Sequence, residues 1–151
     1  MNASKKKSKK PSDSSYTERK QHESLIFFLD RALGKRFIVQ ALSKHNPEII
    51  VKVLDDYFES NVADEEWLRF VGHKGWIAIT KDKRIRYRTP ALEVIRKEKV
   101  KLFIFTKGNL TGQQMGEILI KAIPKVKTFL AKYEPPFIVT MTKSGKLSKV
   151  K

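Results

Sequence analysis

Leu25-Ile26-Phe27-Phe28-Leu29-Asp30 is a run of five apolar residues closed by a carboxylate. A run of that length with no polar alternation reads as a strand buried on both faces, the kind found in parallel sheets. The same design returns at Trp76-Ile77-Ala78-Ile79-Thr80-Lys81-Asp82. Carboxylates that follow parallel strands converge on one edge of the sheet, where α/β proteins build their sites. A third acidic motif, Asp64-Glu65-Glu66-Trp67, lies between the two.

Outward from residue 25 the pattern alternates. Leu33, Phe37, Ala41 and Leu42 recur at helical spacing, and Asn46-Pro47 ends that helix. Residues 49–54, rich in β-branched side chains, predict a second strand. A short helix over 64–71 carries Trp67, Leu68 and Val71 on one face, with Gly72 and Gly75 beyond its end. Residues 76–80 form the third strand. Thr89-Pro90 opens a helix over 91–97 with Leu92 and Ile95 inward, and residues 100–106 form the fourth strand. A helical stretch from Thr111 to about Tyr133 carries a stripe of Ile118, Ala122, Val126, Phe129 and Leu130; Pro124 is expected to kink or split it. Residues 137–141 form a fifth strand, after which Ser144-Gly145 either turns a short hairpin or precedes a frayed end. Strands alternating with helices predict an α/β protein with right-handed crossovers and a mostly parallel sheet of about four to five strands. The expected organisation is a disordered basic tail over 1–22, a domain over 23–142 and a basic C-terminal tail over 143–151.

The chain has 151 residues, no cysteine and a formal net charge of +16. Disulfides and thiolate metal sites are excluded. No apolar run approaches bilayer-spanning length and no signal-peptide pattern follows the basic start, which sets a cytoplasmic protein without membrane contact as the expectation. Charge is uneven: residues 25–82 carry net −1, whereas 83–107 and 121–151 carry +7 each. Basic segments attract a polyanion toward an acidic cleft that only a bound cation makes hospitable. Contact with nucleic acid or an anionic surface is therefore the expectation.

Asp30, Asp64 and Asp82 are the candidate catalytic and metal-ligating residues, because hard divalent cations such as Mg²⁺ take oxygen ligands. Glu65 is a further ligand or a base, and Thr80, two residues before Asp82, orients a ligand or a water. Packed together without a cation, the carboxylates repel, so at least one carboxyl pKa should rise. Each has a plainer alternative. Asp64 reads equally as an N-cap, Asp30 as the cap of the following helix or a partner of Arg31 or Lys35, and Asp82 as the start of a turn. Asp55 and Asp56 also follow a strand. The basic run Lys81, Lys83, Arg84, Arg86, Arg88, with Tyr87 interleaved, is the candidate nucleic-acid-binding segment, since arginine grips phosphate and tyrosine stacks on an unpaired base. Trp67 and Trp76 read as core.

The three acidic stretches, taken as Leu25-Ile26-Phe27-Phe28-Leu29-Asp30, Ala63-Asp64-Glu65-Glu66-Trp67-Leu68 and Gly75-Trp76-Ile77-Ala78-Ile79-Thr80-Lys81-Asp82, resemble the PIN-like domain over roughly residues 25–105. The similarity is to its small branch of Mut7-C-related proteins and VapC-type toxins. The resemblance implies a three-layer fold and a Mg²⁺- or Mn²⁺-dependent endoribonuclease, often the toxin of a toxin–antitoxin pair. RNA, an antitoxin protein and a second copy in a homodimer would be the partners. Asp30, Asp64 and Asp82 match its first, middle and last acidic positions. Arg31 and Arg84 stand where relatives often carry further acidic residues, so the set is reduced. The rival expectation is a non-catalytic nucleic-acid-binding or interaction module on a degenerate PIN-like fold.

Overall fold

A computed structural model describes residues 25–30 and 35–151. The expected tail over 1–22, together with Arg31, Leu33 and Gly34, lies outside the described residues. The elements are β1 (Ile26–Leu29), α1 (Lys35–His45), β2 (Ile50–Val53), α2 (Asp64–Lys74), β3 (Ile77–Thr80), α3 (Thr89–Lys97), β4 (Lys101–Phe105), α4 (Gly112–Lys132), β5 (Phe137–Met141) and β6 (Leu147–Lys149). Two single 3₁₀ turns, Leu54–Asp56 and Lys83–Tyr87, follow β2 and precede α3.

The six strands lie in the order β2-β1-β3-β4-β5-β6, the first five parallel and the last antiparallel. The sheet has one strand more than the sequence led us to expect. Residues 143–151 are no tail: the chain turns at Gly145, whose φ of 87° suits glycine, and residues 147–149 pair with β5.

Strand alternation splits the core in two. Phe27 and Leu29 face α1 and α4 along with Phe103, Phe105 and Val139. Phe28, Ala78, Leu102 and Ile104 face α2 and α3 through Trp67, Leu68, Val71, Val94 and Ile95. Each fully buried side chain of this size contributes about 1.5–3 kcal/mol, so both layers are well anchored. Helix α4 carries the chain along the sheet in the same direction as α2 and α3, but over the opposite face. Its crossover therefore has the opposite hand from the other three, a departure from the uniformly right-handed expectation. The 11 residues of α1 leave the β4–β5 part of that face to be covered, and the 21-residue α4 covers it.

Local chemistry accounts for most element ends. Thr111 and Gln114 form a reciprocal capping box at the start of α4. The helix runs unbroken through Pro124, which sits on its exposed side, where water can take the carbonyl left without a donor. Gly72 lies inside α2 rather than beyond it, and glycine is needed there because a Cβ would come within 2.7 Å of Glu98 on the adjoining segment. Gly75, at φ 73°, is the left-handed cap that ends the helix. Leu42 is buried as expected, but Phe37 is exposed and Ile38 takes its place in the inward stripe of α1.

Candidate active site at the switch in strand order

The chain leaves β1 toward one side for β2 and returns on the other side to β3. The switch point thus lies between β1 and β3, and the crevice outside their carboxyl ends is where such sheets bind ligands. Asp30 follows β1 directly; its backbone N–H donates to the Ile79 carbonyl at 3.1 Å, which fixes the carboxylate beside β3. Thr80 is the last residue of β3 and fully buried. Its hydroxyl donates to Asp30 Oδ2 at 2.8 Å and accepts the backbone N–H of Asp82 at 3.0 Å. One hydroxyl therefore ties two strand ends together, and Asp30, only 7% exposed, receives a donor in the interior.

Asp82 does begin a turn. Its Oδ1 accepts the backbone N–H of Arg84 at 3.0 Å, capping the 3₁₀ turn Lys83–Tyr87, and takes Arg84 Nε at 3.1 Å as well. Burial pushes the Asp82 carboxyl up, but the hydrogen bonds from the Arg84 side chain and backbone, with the charges of Arg84 and Arg88, outweigh it and hold the pKa below the ordinary value. At Asp82 the pKa is lowered rather than raised, because two guanidiniums lie against its carboxylate. Stability from this carboxylate is then present above the unfolded value of about 3.9 and is lost as pH falls through the lower folded value. In a carboxyl-detected NMR titration Asp82 should titrate below an unstructured aspartate, and Arg84→Gln should raise its pKa. An unmoved pKa in that variant would show that Arg84 does not hold it.

Asp64 is the first residue of α2, with Ala63 as the N-cap and no capping side chain. Freed from capping, its carboxylate takes the indole N–H of Trp67 on Oδ1 at 3.0 Å and the Nη1 of Arg88 on Oδ2. Arg88 Nη2 reaches Asp82 Oδ2 at 3.1 Å. Arg88 thus bridges the middle and last acidic motifs. With its side chain 40% exposed, the bridge is worth on the order of 1 kcal/mol.

Asp30, Thr80, Asp82, Arg88 and Asp64 therefore form one continuous polar chain across the crevice. Glu65 starts α2 beside Asp64, half-buried, without an ion pair to Arg88. Asp55 and Asp56 are exposed in the 3₁₀ turn after β2. Lys83, Arg84 and Tyr87 are exposed beside the crevice, with Lys81 and Arg86 half-buried. Arg86 lies 4.9 Å from the Tyr87 ring centroid and donates to its hydroxyl at 2.7 Å. Tyr87, 70% exposed, presents its ring to solvent. Sequence reasoning missed the roles of Trp67 and Arg88 toward the carboxylates. The i, i+3 spacing of Asp64 and Trp67 is a signal that could have found the first.

By donor type the crevice fits a hard divalent cation: three carboxylates and a hydroxyl, all oxygen. By arrangement, no group of three or more His, Cys, Asp or Glu side chains stands ready to hold a metal ion among the described residues. Arg88 lies between two of the three carboxylates instead. Among the described residues no helix is long and apolar enough to cross a membrane.

The family described as PIN like domain matches residues 25–107, more than half of the chain. No curated protein and no solved structure matches it. The matched segment spans β1 to β4 and holds all three aspartates, Thr80, Trp67 and Arg88. On that match and this fold, the chain belongs to the PIN-like domain family, a nuclease-type fold.

Proposed function

We propose that this protein is a metal-dependent endoribonuclease that hydrolyses RNA phosphodiesters in the crevice between the ends of β1 and β3. The observation that carries the reading is the joining of Asp30, Asp64 and Asp82, distant in sequence, through Thr80 and Arg88 into one polar chain at the switch point. PIN domains generally use divalent ions, and Asp30, Asp64 and Asp82 would hold a Mg²⁺ or Mn²⁺ here. Such an ion supplies an acidified water and charge stabilisation at the phosphate. Thr80 keeps Asp30 oriented; Trp67 does the same for Asp64. Glu65, next to Asp64, is the candidate for accepting a proton from water. Lys81, Lys83, Arg84, Arg86 and Tyr87 guide the strand, the lysines and arginines by charge and Tyr87 by stacking on an unpaired base. The resemblance of the three acidic stretches to the family's small toxin branch supports an antitoxin as the proposed partner.

A second reading is favoured by one observation: Arg84 and Arg88 neutralise Asp82, as befits a non-catalytic RNA-binding module. Cleavage separates the two readings, whereas binding does not, since both predict salt-sensitive RNA affinity. Purified protein should cut single-stranded RNA with Mg²⁺ or Mn²⁺, stop with a chelator, and lose cleavage in Asp82→Asn. An Asp82→Asn protein that cuts at the parental rate sinks the nuclease assignment.

A further inference from the structure

Arg88 is the residue of the basic segment whose guanidinium reaches both Asp64 and Asp82. An arginine commonly grips one carboxylate with both ends of its fork. Here the fork is divided, with Nη1 on Asp64 Oδ2 and Nη2 on Asp82 Oδ2. Asp64 and Asp82 are two of the three carboxylates that would hold a cation under the reading above.

The carboxylates do not depend on Arg88 for their placement. Asp64 is held by the Trp67 indole, Asp82 by the backbone and Nε of Arg84, and Asp30 by Thr80. Apart from these two ion pairs, Arg88 is held through its backbone. Its N–H donates to Ile85 and its carbonyl accepts Leu92 at the start of α3, while buried Ile85 pins the turn before it. The side chain, 40% exposed, can leave for water without opening the core.

We infer that Arg88 is an internal counter-cation that competes with the divalent ion for Asp64 and Asp82, and that ion loading releases it to bind a phosphate of the RNA strand. This rests on the reading of the three aspartates as the cation site. A divalent ion and a guanidinium repel when they share two carboxylates, so the occupancy of one lowers that of the other. Linkage makes the effect reciprocal. A displaced guanidinium remains tethered at the crevice edge, and phosphate is an anion that its fork matches.

The test is calorimetric titration of the full chain with Mn²⁺ alone, without nucleic acid. Arg88→Gln should bind Mn²⁺ more tightly than the parent, within the roughly 5–150-fold range of such couplings. Arg88→Lys should fall between, because a single ammonium cannot span both carboxylates as the fork does. Asp30→Asn should bind more weakly, which locates the ion. If Arg88→Gln binds no tighter than the parent while Asp30→Asn still binds more weakly, Arg88 is a strut; the inference fails and the cation site stands. If neither the parent nor Arg88→Gln binds Mn²⁺ at millimolar levels, the cation site fails and the inference with it. Circular dichroism checks that each variant is folded, and Arg88→Lys carries the comparison should Arg88→Gln be unfolded. Guanidinium NMR of the parent adds a readout independent of affinity: the Arg88 Nη signals should shift on Mg²⁺ addition, and unchanged signals at saturation overturn the inference.

Discussion

An Asp30→Asn protein should fold as the parent does and cut RNA at least about a hundredfold more slowly, a barrier increase of about 2.7 kcal/mol or more. The substitution is close to isosteric. An asparagine oxygen still accepts the Thr80 hydroxyl hydrogen that Asp30 Oδ2 receives at 2.8 Å, and the backbone bond to Ile79 is untouched. What disappears is one negative charge, 7% exposed, where the cation would bind. Loss of groups that merely orient a metal ligand costs 10–100-fold, and loss of a charged ligand should exceed that. Single-turnover cleavage at saturating Mn²⁺ measures the rate, and thermal melting monitors the fold. A folded Asp30→Asn protein that cuts at the parental rate would remove Asp30 from the chemistry and favour the non-catalytic module.

The parts of this design that were legible in the sequence are those fixed by periodicity. A strand buried on both faces must be apolar throughout, so residues 25–29 and 137–141 could be read as strands from hydrophobicity alone. Carboxyl ends could be read too, because a carboxylate after such a run has only the sheet edge to occupy. Other features depend on partners that the local sequence does not contain. Phe37 has helical spacing, yet Ile38 wins the inward position on the face of α1 that packs against α4. Pro124 is tolerated because its face of α4 is exposed. The opposite hand of the α4 crossover follows from which face lacked cover, a property of the whole sheet. In the candidate site, position along the chain singled out Asp30, Asp64 and Asp82, but not the Thr80 and Arg88 contacts that join them. Nothing in Arg86-Tyr87-Arg88 distinguishes the arginine that turns inward from the one that lies against a tyrosine ring.

Trp67 is expected to carry the largest single share of stability near the site. Its side chain is fully buried and stacks on Phe28 at 5.9 Å, and Phe28 in turn lies within 6.1 Å of Tyr57, Phe70 and Trp76. Trp67→Ala leaves a cavity in that cluster and should cost about 3–5 kcal/mol. Against a total of about 5–15 kcal/mol, such a loss endangers the fold and should lower the melting temperature by roughly 10 °C or more. Trp67→Phe separates packing from positioning. It keeps a ring against Phe28 but removes the indole N–H that Asp64 Oδ1 accepts at 3.0 Å. Its stability cost should be smaller, on the order of 1–3 kcal/mol for the smaller ring and the carboxylate oxygen left without its donor. Asp64 then has only Arg88 as a partner, the group a cation must displace, so Mn²⁺ affinity and cleavage should fall by about 10–100-fold in a protein that remains folded. Denaturant unfolding and Mn²⁺ titration on the same preparations separate the two effects. Parental Mn²⁺ affinity and cleavage in Trp67→Phe would reduce the indole–Asp64 bond to packing, and with it the claim that the aromatic core positions the site.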